Sequence, residues 1–147
     1  MDSCAFCDVV TGRRAQEMVY ASATVVAFLC EPPATWGHTL IVPRAHRQDI
    51  WTIEVEEAVE AINVARRLAR AMRDELQAVG IHLRQNSGER AGQEVLHFHL
   101  HVIPRYEDDT VLPGCVWGIP PWRPPTGGAV ERKRVGSALR RGLDGAI

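Results

Sequence analysis

Three histidines recur at two-residue spacing in Leu96-His97-Phe98-His99-Leu100-His101-Val102-Ile103, interleaved with large apolar side chains. On an extended strand, alternate side chains leave from the same face. The spacing predicts a strand over about 95–103, with His97, His99 and His101 on one face. Phe98, Leu100 and Val102 then form the buried face. A neutral imidazole is a competent nucleophile near pH 7, since its reference pKa is about 6.5. Neighbouring imidazoles disfavour one another's protonation and keep the central ring nucleophilic, while an adjacent imidazolium can bind anionic oxygens. One imidazole to attack phosphorus and another to hold the phosphate is a sensible apparatus for nucleotidyl transfer. The loop upstream adds to it. Gly92 permits close backbone approach to a phosphate, and Asn86 and Gln93 offer neutral donors.

Elements that could position these groups are legible around them. Residues 24–29 (TVVAFL) read as a strand that Pro32 and Pro33 end, and 37–42 as a second strand stopped by Pro43. From 53 to 79 apolar residues recur at helical spacing, with Thr52 as N-cap and Gly80 as the C′ residue. A third strand is expected over 81–86, before the loop and the histidine strand, which Pro104 should stop. Residues 112–128 hold five of the nine prolines and read as irregular chain. A terminal helix follows over 130–143, its basic residues forming a solvated face. Strands with hairpin-length connections and one long helix indicate an α+β fold with an antiparallel sheet.

At 147 residues, the chain suits one domain able to bury a core without disulfides. A formal net charge of −1 supplies no field for a nucleic-acid backbone. No apolar run approaches the roughly 20 residues of a membrane span. The N-terminus has neither the basic nor the apolar region of a signal peptide, so the cytoplasm is the expected compartment. There cysteines stay reduced and are free to bind metal. Cys4 and Cys7 form a C-x-x-C, which alone is two ligands short of a structural zinc site.

The motifs together resemble the histidine triad (HIT) family. Its hallmark, H-φ-H-φ-H-φ-φ with φ apolar, is matched by residues 97–103. The segment Cys4-Ala5-Phe6-Cys7 is similar to its C-x-F-C. The run Gly37-His38-Thr39-Leu40-Ile41-Val42-Pro43-Arg44-Ala45-His46 is similar to its G-H-T-L-φ-φ-P-x-x-H. Asn86-Ser87-Gly88 and Ala91-Gly92-Gln93-Glu94-Val95 match the loop before the triad. The resemblance covers about 4–106 and implies a single HIT domain: a sheet of about five antiparallel strands, one long helix and a C-terminal helix. It also implies a homodimer that binds purine nucleotides.

The chemistry it implies is cleavage at the α-phosphorus of a nucleoside phosphoramidate or dinucleoside polyphosphate. By position His99 is the nucleophile, His101 bonds phosphate oxygens or the bridging atom, and His38 lies beside the triad. Asn86, Gly92, Gln93 and Glu94 match phosphate-side positions. The family's usual ribose-binding acid is replaced here by Cys30, which leaves the adjacent Glu31 as the candidate. The resemblance also supplies the missing metal ligands: Cys4, Cys7, His46 and His97 would hold a structural zinc. A non-catalytic nucleotide or metal sensor remains the alternative.

Overall fold

The computed structural model describes residues 3–109 and 125–144. Most of the Pro- and Trp-rich stretch, with Cys115, lies outside the described residues. Along the chain run α1 (Ala5–Val10), β1 (Met18–Ala21), β2 (Val25–Leu29), β3 (Thr39–Pro43), α2 (Val55–Leu76), β4 (Gly80–Arg84), β5 (Leu100–Arg105) and α3 (Gly128–Asp144). The five strands make one antiparallel sheet in the order β1-β2-β3-β5-β4. The α+β class and the five-stranded sheet are as expected. Among the described residues no helix is long and apolar enough to cross a membrane.

Every residue of β2 and of β3 is buried, because the middle of the sheet is covered on both sides. This explains their unbroken apolar runs, which alternation would have interrupted. On one side Val25, Ala27, Leu29 and Ile41 pack with Leu68 and Met72 of α2 and Leu139 of α3. On the other, Val26, Phe28, Leu40 and Val42 pack with Val9 and Phe6 of α1. The α1 side carries the chemistry. His101 pairs with Leu40 across the β3–β5 ladder, so it projects from that side.

Several boundaries differ from expectation. Helix α2 begins at Val55 rather than after Thr52. Glu54 and Glu57 form a capping box, and Arg47 holds Glu57 at 3.1 Å. Thr52 instead joins a turn on Asp49, whose Oδ1 accepts the Trp51 and Thr52 N–H groups. The helix ends at Gln77, with φ at 60°, and Gly80 opens β4. β1 and α1 were not evident in the sequence, being short elements without a periodic signal. The basic face of α3 is not simply solvated: Arg132, Arg134, Arg140 and Arg141 each reach a carboxylate of this chain.

The largest difference concerns the histidines. The strand that carries them starts at Leu100, not near Val95, so His97 and His99 precede it. Continuing the β3–β5 register would set Phe98 against Pro43, which has no N–H, and whose carbonyl is engaged by the His97 ring at 2.9 Å. The Phe98 N–H turns to the Arg47 carbonyl at 2.6 Å. At the other end Pro104 does not stop the strand. Pairing with β3 ends at Val102, so β5 is laddered on one side only and tolerates a residue without N–H.

Gly142 of α3 lies against Ala71 of α2, where an added Cβ would meet the Ala71 Cβ at 2.6 Å. Gly142→Ala should therefore destabilise the fold, although alanine is intrinsically the better helix former by about 1 kcal/mol. The expected net loss is about 1–3 kcal/mol, read as a lower urea midpoint at constant slope.

Candidate functional site

α1, β2, β3, β5 and the loop after β4 enclose a cavity of about 890 Å³, within the usual range for small-molecule sites. Phe6, Val9, Phe28 and Leu40 make an apolar wall. His38, His99 and His101 line the polar side with Asn86, Gly92 and Glu94. The His99 and His101 ring centroids are 5.1 Å apart, as are those of His38 and His101. Phe6 stands edge-on to both His97 and His99, at 6.0 and 5.1 Å. It separates the cavity from a second cluster beyond it.

Hydrogen bonds fix which nitrogen of each neutral ring carries the proton. His99 Nδ1 lies 2.8 Å from the His97 carbonyl, which can only accept, so Nδ1 bears the hydrogen and Nε2 keeps its lone pair. The Ala34 N–H donates to His38 Nδ1 at 3.0 Å, so His38 donates from Nε2 to His101 Nδ1 at 2.9 Å. His101 is thereby left with its proton on Nε2. One ring presents a lone pair and its neighbour an N–H.

Burial pushes His38 down to about 4. Burial, aided by His38, His99 and Arg84, pushes His101 down to about 3. His99 is also lowered, chiefly by burial. The expected imidazolium beside the nucleophile is therefore not what the free site holds at pH 7. All three rings are neutral, and His101 offers a neutral donor. The partly buried Cys30 thiol is pushed up to about 11, chiefly by desolvation, and stays protonated.

Beyond Phe6, Cys4, Cys7, His46 and His97 bring their ligand atoms within 4.8 Å of one another. Cys7 Sγ is 3.3 Å from His46 Nδ1, and Cys4 and Cys7 Sγ are both 3.5 Å from His97 Nδ1. Zinc bonds of about 2.3 Å to sulfur and 2.0 Å to nitrogen give a tetrahedral S···N edge of about 3.5 Å, so the four donors fit. The Pro43 carbonyl accepts from His97 Nε2–H, leaving Nδ1 as the ligating nitrogen. Cys7 rises to about 11, through burial first and then Cys4.

A model of the HIT domain matches residues 11–108. The chain belongs to the HIT family. A Bacillus subtilis relative named Protein hit is 37% identical over 116 residues, covering 79% of each chain. The solved structure of a Zn-bound histidine triad family protein from Mycobacterium smegmatis superposes with a TM-score of 0.81 at 33% identity. That match covers 97% of this chain and 94% of the other. A hypothetical histidine triad nucleotide-binding protein from Sulfolobus tokodaii also gives 0.81, at 25% identity, covering 97% and 93%.

In this HIT protein the structure gathers most of the expected residues, with exceptions. His97 does not share a face with His99 and His101; it turns to the cysteines. Gln93 is buried, its Oε1 accepting the Gly88 N–H at 2.8 Å and its Nε2 donating to the Gln48 and Val95 carbonyls at 2.7 and 3.1 Å. With both ends committed it shapes the loop and does not face the cavity. Glu31 lines the rim, but Arg132 of α3 sits 3.6 Å from its carboxylate. Gly92 adopts φ +85° on the cavity wall, where its carbonyl lies 3.5 Å from Asn86 Nδ2. Sequence reasoning assigned no role to Phe6 or Arg84, although Phe6 sits inside the C-x-F-C motif.

Because His38 and His101 are neutral when folded and titrate near 6.5 when unfolded, the unfolded chain binds more protons between those limits. Their stabilising contribution is complete above pH 6.5. It is lost as pH falls toward 4 for His38 and toward 3 for His101. Urea midpoints should fall from pH 7 to pH 4, and the slope should flatten in His38→Asn.

Proposed function

We propose that this HIT protein is a nucleotide hydrolase or transferase acting at the α-phosphorus of a nucleoside phosphoramidate or dinucleoside polyphosphate. The observation that carries it is the tautomer pair: an unprotonated Nε2 on His99 beside an Nε2–H on His101, both on the wall of a nucleotide-sized cavity. His99 Nε2 attacks phosphorus, and the N–P bond forms as the bond to the leaving group breaks. The electron pair departs with the leaving oxygen or nitrogen, and a leaving amine takes up a proton from solvent. His101 donates a hydrogen bond to a phosphate oxygen or to the bridging atom. Water then attacks phosphorus and its proton passes to solvent, the N–P bond breaks with its electron pair returning to His99 Nε2, and the mononucleotide leaves. His38 is a positioning residue that holds the His101 tautomer. Asn86 and Gly92 lie on the phosphate side, Glu94 beside them, and Glu31 at the ribose end. The apolar wall of Phe6, Val9, Phe28 and Leu40 suits a purine.

The Cys4, Cys7, His46 and His97 cluster is proposed to hold zinc. With four protein ligands it is a closed site, and the ion would cross-link the N-terminus to the triad rather than take part in catalysis. The likeness to the Zn-bound M. smegmatis protein supports this, and the need for reduced thiols suits the cytoplasm. A homodimer is proposed as well. Val55, Val59 and Ile62, on one face of α2, are exposed, and edge strand β4 exposes Leu83.

Incubation with an adenosine phosphoramidate should release AMP and trap protein carrying one adenylyl group. His99→Ala should lower turnover at least about a thousandfold. Equal rates in parent and variant would remove the catalytic reading, and tight AMP binding without turnover would leave a nucleotide sensor. Elemental analysis should find one zinc per chain, lost in Cys4→Ser together with a lower melting temperature. Val59→Glu should halve the mass seen by sedimentation.

A further inference from the structure

Arg84 ends β4 directly opposite His101 in the β4–β5 register, so the two side chains share a face. It lines the cavity and is only partly exposed. Its Nε donates to Asn86 Oδ1 at 3.2 Å, which fixes the guanidinium beside the phosphate-side loop. Among the described residues its Nη atoms make no hydrogen bond and it joins no ion pair. Three other arginines with sheltered side chains are spent on carboxylates: Arg47 on Glu57, Arg105 on Asp109 and Arg132 on Glu31. A guanidinium held at a cavity wall without a carboxylate has its donor fork available for an anion from outside the chain. The imidazoles do not supply that charge, since His38 and His101 are neutral at pH 7.

Position decides which anion. His99 and His101 flank the reacting phosphorus in the function proposed above, on which this inference rests. Arg84 lies on the β4 side of His101, with Asn86, away from the apolar wall. We infer that Arg84 is a substrate-binding residue that takes the phosphoryl group next to the α-phosphate. The site thereby selects a nucleotide whose leaving group is itself a phosphate over one whose leaving group is an amine. In that step His99 Nε2 bonds to the α-phosphorus, the bond to the bridging oxygen breaks, and its electron pair stays on the departing phosphate. That product is anionic, and the permanent cation stabilises it without a proton transfer. An amine leaving group needs a proton and gains nothing from Arg84.

Calorimetry with AMP and ADP tests binding separately from catalysis. The wild-type protein should bind ADP about tenfold more tightly than AMP. Arg84→Leu should reduce the difference to less than about twofold with AMP affinity unchanged, and Arg84→Lys, keeping the charge, should restore part of it. In turnover, Arg84→Leu should lower kcat/KM for a dinucleoside polyphosphate about tenfold relative to that for an adenosine phosphoramidate. Equal wild-type affinities, or a variant that weakens AMP as much as ADP, would overturn the inference while leaving the catalytic reading in place. An ADP preference that Arg84→Leu abolishes, in a protein that cleaves neither substrate, would overturn the catalytic reading alone. Wild-type protein that binds neither nucleotide would overturn both.

Discussion

His97 has no accessible surface, and three neighbouring features depend on how it is held. Its Nε2 is committed to the Pro43 carbonyl, so its Nδ1 can only face the two cysteines. Its own carbonyl takes the proton-bearing nitrogen of His99, which sets the lone pair of that ring on Nε2. Its ring displaces the chain from the β3 ladder, which is why the strand begins three residues later. One buried residue thus joins the cysteine cluster, the end of the sheet and the candidate nucleophile. A buried polar ring tolerates no unpaired nitrogen, so each of these bonds constrains the others.

The sheet supports this arrangement by being covered on both faces. Helices α2 and α3 bury one side, and α1 with the N-terminal segment buries part of the other. The uncovered remainder of that second face is the cavity. Its floor is consequently apolar strand residues, and its polar groups come from strand ends and loops. α3 contributes to the site as well as to the core, because Arg132 reaches the Glu31 carboxylate and the Cys30 carbonyl at the rim.

Electrostatically the cavity separates two kinds of group. The imidazoles are desolvated enough to remain neutral, which suits a nucleophile and a hydrogen-bond donor but gives no charge to hold a phosphate. Charge enters from arginines at the margin, whose guanidinium groups stay protonated whatever their surroundings. A bound nucleotide would then meet neutral chemistry at the reacting atom and fixed cations beside it.

Much of this was legible in residue order alone. Short-range patterns named the family, the long helix, the two central strands, and the histidines and cysteines of both clusters, because each is written in types and spacings within a few residues. The sequence could not show that 95–99 leaves the strand, since alternation looks the same whether or not a ladder partner exists, and the partner here is Pro43, more than fifty residues away. Nor could it show that Gln93 turns inward, that Arg84 stands opposite His101, or which nitrogen of each ring carries its proton. Those depend on carbonyls and neighbours brought together by the sheet. Residue types set which groups were available, and tertiary contacts set their tautomers, charges and directions, because hydrogen bonding and desolvation act through space rather than along the chain.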